Sequence, residues 1–250
     1  MSIDTVGAKP LDIGDVLGDT FAVIGRTAVV LANVSVMFIG IPAAINIAGT
    51  VLTPVSPLFA VFTVLGSLGA LAGMVLAYGA IFQVAMQDLH DQTVAADAML
   101  RTALVKFLPM LGLALLLGLG VFVGGLLLIV PGVILGLAWS VALPALVLED
   151  RGVFDAFGRS ADLTRNRRWS IFLLFVLVGI VVMVAELVLF ALFGGFRSLA
   201  SAHLGAASAL VSALVEMVTV PFYAVMVTAL FNQLRGKRGY GAEAVAEVFA

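Results

Sequence analysis

The sequence lacks cysteine and is poor in charged residues and histidine. Without cysteine, neither disulfides nor thiolate chemistry is available. Charged residues make up only 11% of the chain and hydrophobic residues 62%, and the mean hydropathy is +1.20. A soluble domain has a charged fraction of about a quarter. The composition therefore excludes an ordinary soluble domain and predicts an integral membrane protein.

Charge is missing above all from three long blocks. Thr27–Gln87 has no charged residue in 61 positions, and Phe107–Leu148 has none in 42. Trp169–Leu234 has three Asp, Glu, Lys or Arg residues in 66 positions. A helix of about 20 apolar residues crosses the core of a bilayer, so each block is long enough to cross twice. We therefore expect an all-α polytopic membrane protein with six transmembrane helices arranged as three hairpins.

The basic residues predict the orientation of these hairpins. Of the 13 Lys and Arg residues, 12 lie before, between or after the blocks, on one side of the predicted membrane, and Arg197 lies on the other. Loops rich in Lys and Arg remain in the cytoplasm. The sequence therefore predicts a multi-pass protein with both termini in the cytoplasm.

Three polar segments precede the blocks and share the form Asp-x-x-x-x-Thr/Ser. They are Asp15–Thr20, Asp97–Thr102 and Asp155–Ser160. Each starts 10 to 14 residues before its block, and their apolar positions fit helices lying in the membrane surface. We expect each hairpin to be preceded by a short cytoplasmic interfacial amphipathic helix. Chance similarity among amphipathic turns is the alternative.

The recurring segments predict a threefold repeat within a single integral membrane domain over residues 1–250. The predicted copies are residues 10–87, 93–148 and 152–234, followed by a short cytoplasmic tail at 235–250. Glycines four residues apart predict close helix contacts within this domain, and a dimer interface is the alternative. These pairs are Gly69/Gly73, Gly120/Gly124 and Gly132/Gly136. The turn between spans three and four falls either at Gly124–Gly125 or at Pro131–Gly132.

Two carboxylates, Glu186 and Glu216, lie inside the fifth and sixth predicted spans. Each is roughly 24 Å from the basic end of its helix, at 1.5 Å per residue, so adjacent antiparallel helices would place them at one depth. Charged groups in hydrocarbon are costly and therefore pair, face water or stay protonated. The pair is a candidate for a proton-sharing site. The alternative is that Glu216 hydrogen-bonds Ser208 or Ser212 on its own helix and Glu186 reaches the outer interface. Arg197 and His203 in the connection are further groups that could neutralise them.

A basic cluster, Arg165, Arg167 and Arg168, is followed directly by Trp169 at the start of the fifth span. Each Lys or Arg near an anionic membrane surface contributes about 1 kcal/mol of attraction, and tryptophan favours the membrane interface. These four residues are candidates for contact with lipid head groups. The alternative is that they serve only as the topology signal.

Chemistry-bearing motifs are absent from the sequence. It has no phosphate-binding glycine loop, no metal-ligand spacing and no nucleophile–base pair, and its histidines, His90 and His203, fall on opposite sides of the predicted membrane. We therefore expect no enzymatic activity, no cofactor, no metal site and no nucleic-acid partner.

One stretch of the chain resembles a known family. It comprises Ile129–Ser140, Pro144–Glu149 and Gly152–Ser160, and Pro221–Arg235 resembles the same family's close. The resemblance is to bacterial proteins of the glycerophosphoryl diester phosphodiesterase membrane domain family and to the related YciC-like proteins. It implies a six-helix bacterial inner-membrane protein. It carries over no catalytic residue, since the clustered acidic residues and histidines of the soluble phosphodiesterase domain are missing here.

These predictions favour a non-enzymatic inner-membrane protein with an accessory or structural role. Its expected partners are anionic lipid head groups at the cytoplasmic face, and a membrane-protein partner is a further candidate. The alternative is a small transporter or channel that uses Glu186 and Glu216.

Overall fold

A computed structural model describes residues 11–52, 58–92, 96–192 and 205–248, and this part of the chain is helical without any strand. The helices are α1 (Ile13–Ser35), α2 (Ile41–Leu52), α3 (Leu58–Leu89), α4 (Ala96–Leu127), α5 (Ile129–Ala138), α6 (Ala142–Leu148), α7 (Val153–Thr164), α8 (Arg168–Leu192) and α9 (Gly205–Val248). Inside a bilayer, a long charge-free segment must satisfy its own backbone hydrogen bonds, and a helix satisfies all of them within the segment. The all-α class is confirmed.

Six segments of these helices are long and apolar enough to cross a membrane. They are Ile13–Gly49, Leu58–Leu89, Met99–Leu127, Ile129–Leu148, Arg168–Leu189 and Ala209–Gly236. The number of spans predicted from the charge-free blocks is therefore confirmed. Residues beyond the sixth span, in the predicted tail, continue α9 as far as Val248.

The first span is one continuous helical segment in which a π-helical stretch, Val36–Gly40, joins α1 to α2. This stretch lies against α3 at Gly73, where a Cβ atom would overlap the Phe38 carbonyl oxygen. Only glycine permits so close an approach of the two backbones. The predicted seam at Gly73 is thus an intramolecular contact.

The hairpin between spans three and four turns at a single residue. Helix α4 ends at Leu127 and α5 begins at Ile129, with Leu128 extended between them at φ −163° and ψ 140°. Neither predicted turn position is the turn itself. Instead, a Cβ atom on Gly132 would lie 2.6 Å from the backbone nitrogen of Gly125. The glycines act beside the turn, where they let α4 and α5 pack closely.

The prediction of a separate interfacial helix before each hairpin is wrong for the first two copies. Asp15–Thr20 lies within α1, and the segment that starts at Asp97 lies within α4; both helices run on without a break into their spans. Neither Gly25 in α1 nor Pro109 in α4 interrupts its helix. Only the third copy is a helix of its own, α7, because a tight turn separates it from α8. The buried face of α7, which includes Ala156 and Ser160, packs on the protein.

Helix α3 lies at the centre of the bundle, in contact with α1, α2, α4, α6 and α9. Its small and β-branched side chains Ala77, Ala80 and Ile81 are completely buried. Helix α9 packs mainly on α1 and α3, whereas α8 makes few contacts with α9 or α5. The fifth and sixth spans are therefore not a tight hairpin, and open grooves remain on both sides of α8.

Side-chain bonds join the charged ends of different helices. These bonds run from Arg26 Nη2 to Asp88 Oδ2 at 2.7 Å, from Lys106 Nζ to Asp150 Oδ1, and from Gln233 Nε2 to Asp19 Oδ2 at 3.4 Å. They hold the starts of α1 and α4 and the ends of α3, α6 and α9 at one end of the bundle. We call this end, marked by Arg26, Lys106 and Arg165–Arg168, the basic end.

Candidate functional site

A break between α5 and α6 fixes the position of α7 at the basic end. The break frees backbone groups that need hydrogen-bond partners, and Ser160 of α7 supplies them. Its Oγ donates to the Ala138 carbonyl at 2.8 Å and accepts from the Val141 N–H at 3.2 Å. The rings of Trp139 and Phe157 pack at a centroid distance of 4.7 Å. Helix α7 is thereby held against the end of α5.

The start of α7 is held by Glu149, which follows α6. Its carboxylate accepts hydrogen bonds from Arg151 Nε at 2.7 Å and from Arg159 Nη2 at 2.8 Å, and its side chain is only 11% exposed. Burial raises the pKa of Glu149, but the hydrogen bonds from Arg159 and Arg151 outweigh it and hold this pKa below its ordinary value. Glu149 is therefore ionised at neutral pH and is shared as an acceptor by both arginines.

A type II β-turn connects α7 to α8. Arg165 has φ −56° and ψ 134°, Asn166 has φ 65°, and the Arg167 N–H donates to the Thr164 carbonyl at 3.1 Å. This turn requires a positive φ at its third residue, a conformation that asparagine tolerates. The Arg167 carbonyl then accepts from the Ile171 N–H at 3.1 Å, in the first turn of α8. The turn thus sets Arg167 and Arg168 at the N-terminus of a membrane-spanning helix.

Arg167 and Arg168 differ from the other cations near them. Arg167 Nη1 and Arg168 Nε are buried and have no hydrogen-bond partner in the described part of the chain. No ion pair among the described residues involves these two arginines or Arg165. A buried donor without a partner costs about 1–3 kcal/mol, and more when it is charged. An anion that accepts a hydrogen bond from either donor would reduce that cost.

Trp169 adjoins the arginines and is 79% exposed. Its ring meets Phe172 edge-on at a centroid distance of 5.9 Å. Arg165 is also exposed, on the turn itself. The structure therefore gathers the four predicted head-group residues into one turn and the helix start that follows it. Their contact with lipid stays a prediction.

The two intramembrane carboxylates lie on neighbouring helices without bonding each other. Glu186 lines an open groove of about 660 Å³ between α1, α8 and α9, whose other lining residues are apolar apart from Thr219. Glu216 is exposed on α9 and does not line this groove. Within the described residues, neither carboxylate has a hydrogen bond or an ion pair. Arg197 and His203, the predicted neutralising groups, lie outside the described residues.

Sequence reasoning missed two tyrosines, Tyr78 of α3 and Tyr223 of α9, that line one cavity of about 690 Å³. They lie far apart in the chain and belong to no motif. Aromatic residues in apolar spans ordinarily pack against lipid or other helices. Only the packing of α3 beside α9 brings the two side chains to one place.

The helices and the basic end define a multi-pass α-helical membrane protein. Residues 116–235 match the family model described as the membrane domain of glycerophosphoryl diester phosphodiesterase. The match confirms the resemblance predicted from the sequence, and it concerns the membrane domain rather than the catalytic domain. No curated protein and no solved structure matches the chain at a significant level.

Proposed function

We propose that this protein is a non-enzymatic accessory protein of a bacterial inner membrane that binds anionic lipid head groups at its cytoplasmic face. The observation that carries the proposal is that Arg167 Nη1 and Arg168 Nε are buried and find no hydrogen-bond partner within the described chain. Phosphate oxygens suit the fixed donors of a guanidinium group. The N-terminus of α8 adds further positive potential.

The surroundings of the two arginines support a lipid as the anion. Trp169 is exposed beside them, where an indole ring favours the boundary between head groups and acyl chains. Arg151 and Arg159 share Glu149 as a counter-ion, whereas no ion pair among the described residues involves Arg167 or Arg168 at the start of α8. The positive-inside rule supports a cytoplasmic location for this end. An acidic segment of a membrane-protein partner would also pair with these arginines. The lipid-binding experiment distinguishes such a partner from a lipid.

Transport through a path containing Glu186 and Glu216 is the alternative, and it receives less support. A proton or ion path needs polar groups along its length. The groove beside Glu186 is apolar over almost all of its lining, and Glu216 does not take part in it. Transport stays a prediction, and the titration of the two carboxylates described in the Discussion distinguishes it from the accessory role.

The lipid proposal is tested with the double variant Arg167→Gln/Arg168→Gln. The purified full chain is mixed with phosphatidylglycerol and, separately, with phosphatidylcholine of the same acyl chains, and bound lipid is counted by native mass spectrometry. Hydrogen bonds to charged groups contribute about 1.5–3 kcal/mol each, so we expect the affinity for phosphatidylglycerol to fall about tenfold or more. Binding of phosphatidylcholine should not change.

Arg235→Gln is the matched control, because Arg235 is an exposed arginine at the same end of the bundle. It should retain the preference for phosphatidylglycerol. An equal loss in this control would mean that only general charge attraction operates, and the site would then be wrong. A double variant that keeps the full preference contradicts lipid binding at Arg167 and Arg168 and favours a protein partner there.

A further inference from the structure

A large cavity lies on the side of α8 away from the groove with Glu186. It measures about 690 Å³ and is lined by α3, α4, α5, α8 and α9, within the 300–1,000 Å³ that is usual for small-molecule sites. The residues at its rim, Ile129, Val133 and Val176, are 79%, 41% and 39% exposed. The opening between α5 and α8 is therefore apolar and faces the bilayer, so molecules would enter from the lipid phase.

Two phenol groups interrupt this apolar lining. Tyr78 and Tyr223 both line the cavity. Ser140, also at the cavity, donates its hydroxyl hydrogen to the Leu137 carbonyl at 2.9 Å. By contrast, neither tyrosine hydroxyl has a hydrogen-bond partner among the described residues. A hydroxyl in an apolar setting is less favourable without a hydrogen-bond partner than with one, so both donors suit a ligand with an accepting oxygen.

Helix geometry places these donors near the middle of the bilayer. Tyr78 precedes Asp88 by ten residues and Tyr223 precedes Arg235 by twelve. At 1.5 Å per residue, Tyr78 lies about 15 Å from Asp88 and Tyr223 about 18 Å from Arg235 along their helices. The hydrocarbon core is about 30 Å thick. The ester groups of phospholipids lie at its borders, whereas a neutral lipid dissolved in the core can carry an oxygen to this depth.

We propose that this cavity binds a neutral, membrane-dissolved lipid whose carbonyl oxygen accepts hydrogen bonds from Tyr78 and Tyr223. The apolar body of the ligand packs against Phe172 and Phe175 of α8 and against the α5 wall. The site is separate from the arginine cluster and does not depend on the proposed binding of anionic head groups. A neutral molecule suits it because, among the described residues, no cation lines the cavity.

The test is photolabelling of the full chain in lipid nanodiscs. The probe is a long-chain fatty methyl ester that carries a diazirine in the middle of its chain. We expect labelling of residues 129–143 and 172–176 that excess unlabelled ester removes. Tyr78→Phe/Tyr223→Phe keeps both rings and removes both donors, and should reduce this competable labelling about tenfold or more.

Two glycines of α4 provide a matched pair of cavity-filling and control variants. A Cβ atom would meet nothing within 4 Å at Gly125 or at Gly118, but only Gly125 lines the cavity. Gly125→Leu should abolish competable labelling of these two segments, whereas Gly118→Leu should leave it unchanged. Both substitutions raise helix propensity by a similar amount. A difference in labelling between the two variants therefore reports on filling of the cavity.

Three results would overturn the proposal. The first is undiminished labelling in the double phenylalanine variant or in Gly125→Leu. The second is equal labelling by an alkane of the same length with the same diazirine, which would show that the hydroxyls bind no oxygen. The third is equal labelling of these segments by phosphatidylglycerol with the diazirine in its acyl chain, which would make the occupant an ordinary phospholipid chain.

Discussion

Four arginines around α7 and the start of α8 form two groups. One pair has a carboxylate of the described chain as its counter-ion, and the other pair has none. Arg151 and Arg159 hydrogen-bond to Glu149, so their charge is used to hold α7 against α6. Arg167 and Arg168 retain buried donors that no described residue accepts. A buried polar group without a partner is rare in folded proteins. The first group is therefore structural, and the second is where a ligand is expected.

Glu149→Gln should destabilise the protein at neutral pH. The substitution removes an ionised acceptor that is shared by Arg151 and Arg159, and hydrogen bonds to charged groups contribute about 1.5–3 kcal/mol. We expect a lower apparent melting temperature for the purified protein in detergent. Asp162→Asn is the control, since Asp162 is exposed on α7 and makes no ion pair in the described structure; its melting temperature should match that of the parent.

The effect of Glu149→Gln should also depend on pH. Because the folded-state pKa of Glu149 is lowered, its contribution is complete above the unfolded value of about 4.3 and is lost as the pH falls through the lower folded value. The difference in melting temperature between parent and variant should therefore be full at pH 7 and shrink below about pH 4. A difference that is constant down to pH 3 would mean that Glu149 is not the titrating group.

The sequence predicts residues that stand next to each other and misses those that the fold brings together. Arg165–Trp169 is recognisable because its members are contiguous at the edge of a charge-free block. Tyr78 and Tyr223 are on helices distant in the chain, and no spacing relates them. For Glu186 and Glu216, counting residues gives a similar depth, but the rotation of each helix about its axis depends on packing that a sequence pattern does not contain.

At the scale of elements, the sequence composition predicts the six spans, but it does not predict where their helices are irregular. Backbone groups in hydrocarbon must bond within the helix, so the charge-free blocks predict six spans. The π-helical segment at Val36–Gly40 and the one-residue turn at Leu128 arise where glycines bring neighbouring backbones together. The expected helix before each hairpin forms only at α7, because only there does a β-turn, with Asn166 at positive φ, interrupt the chain.

Helix α8 is the most weakly packed of the spans and borders both the cavity and the groove. It contacts α5 and α9 sparingly, and Glu186 faces the groove on its α9 side. Because Glu216 does not line that groove, we expect replacement of either carboxylate to leave the carboxyl band of the other unchanged. The measurement is pH-dependent infrared spectroscopy of the carboxyl bands in purified protein, with Glu186→Gln and Glu216→Gln to assign each band.

Each single variant should remove one carboxyl band and leave the other in place at the same pH. The double variant Glu186→Gln/Glu216→Gln is the control that identifies bands from the other acidic residues. A shift of the remaining band in either single variant would establish a coupled pair across α8 and α9. That result would contradict the accessory role and favour proton-coupled transport, with flux measurements in liposomes as the next step.

On the scale of the whole molecule, the two ends of the bundle have opposite chemistry. The basic end carries ion pairs between helices and the arginine cluster. At the far end, the turn between α4 and α5 is a run of exposed apolar residues, with Leu127, Leu128 and Ile129 at 73%, 68% and 79% exposure. Such a tip suits the border of the hydrocarbon core rather than water. This asymmetry favours a single orientation in the membrane.

The absence of cysteine makes that orientation directly measurable. Asp162→Cys places a thiol on exposed α7 at the basic end, and Ser56→Cys places one in the connection between the first two spans, outside the described residues. With a membrane-impermeant maleimide, we expect Ser56→Cys to be labelled in spheroplasts of a bacterial host. Asp162→Cys should be labelled only in inverted vesicles, because basic loops stay in the cytoplasm. The reverse pattern would place the arginine cluster outside the cell, and labelling of both thiols from one side would contradict the hairpin arrangement itself.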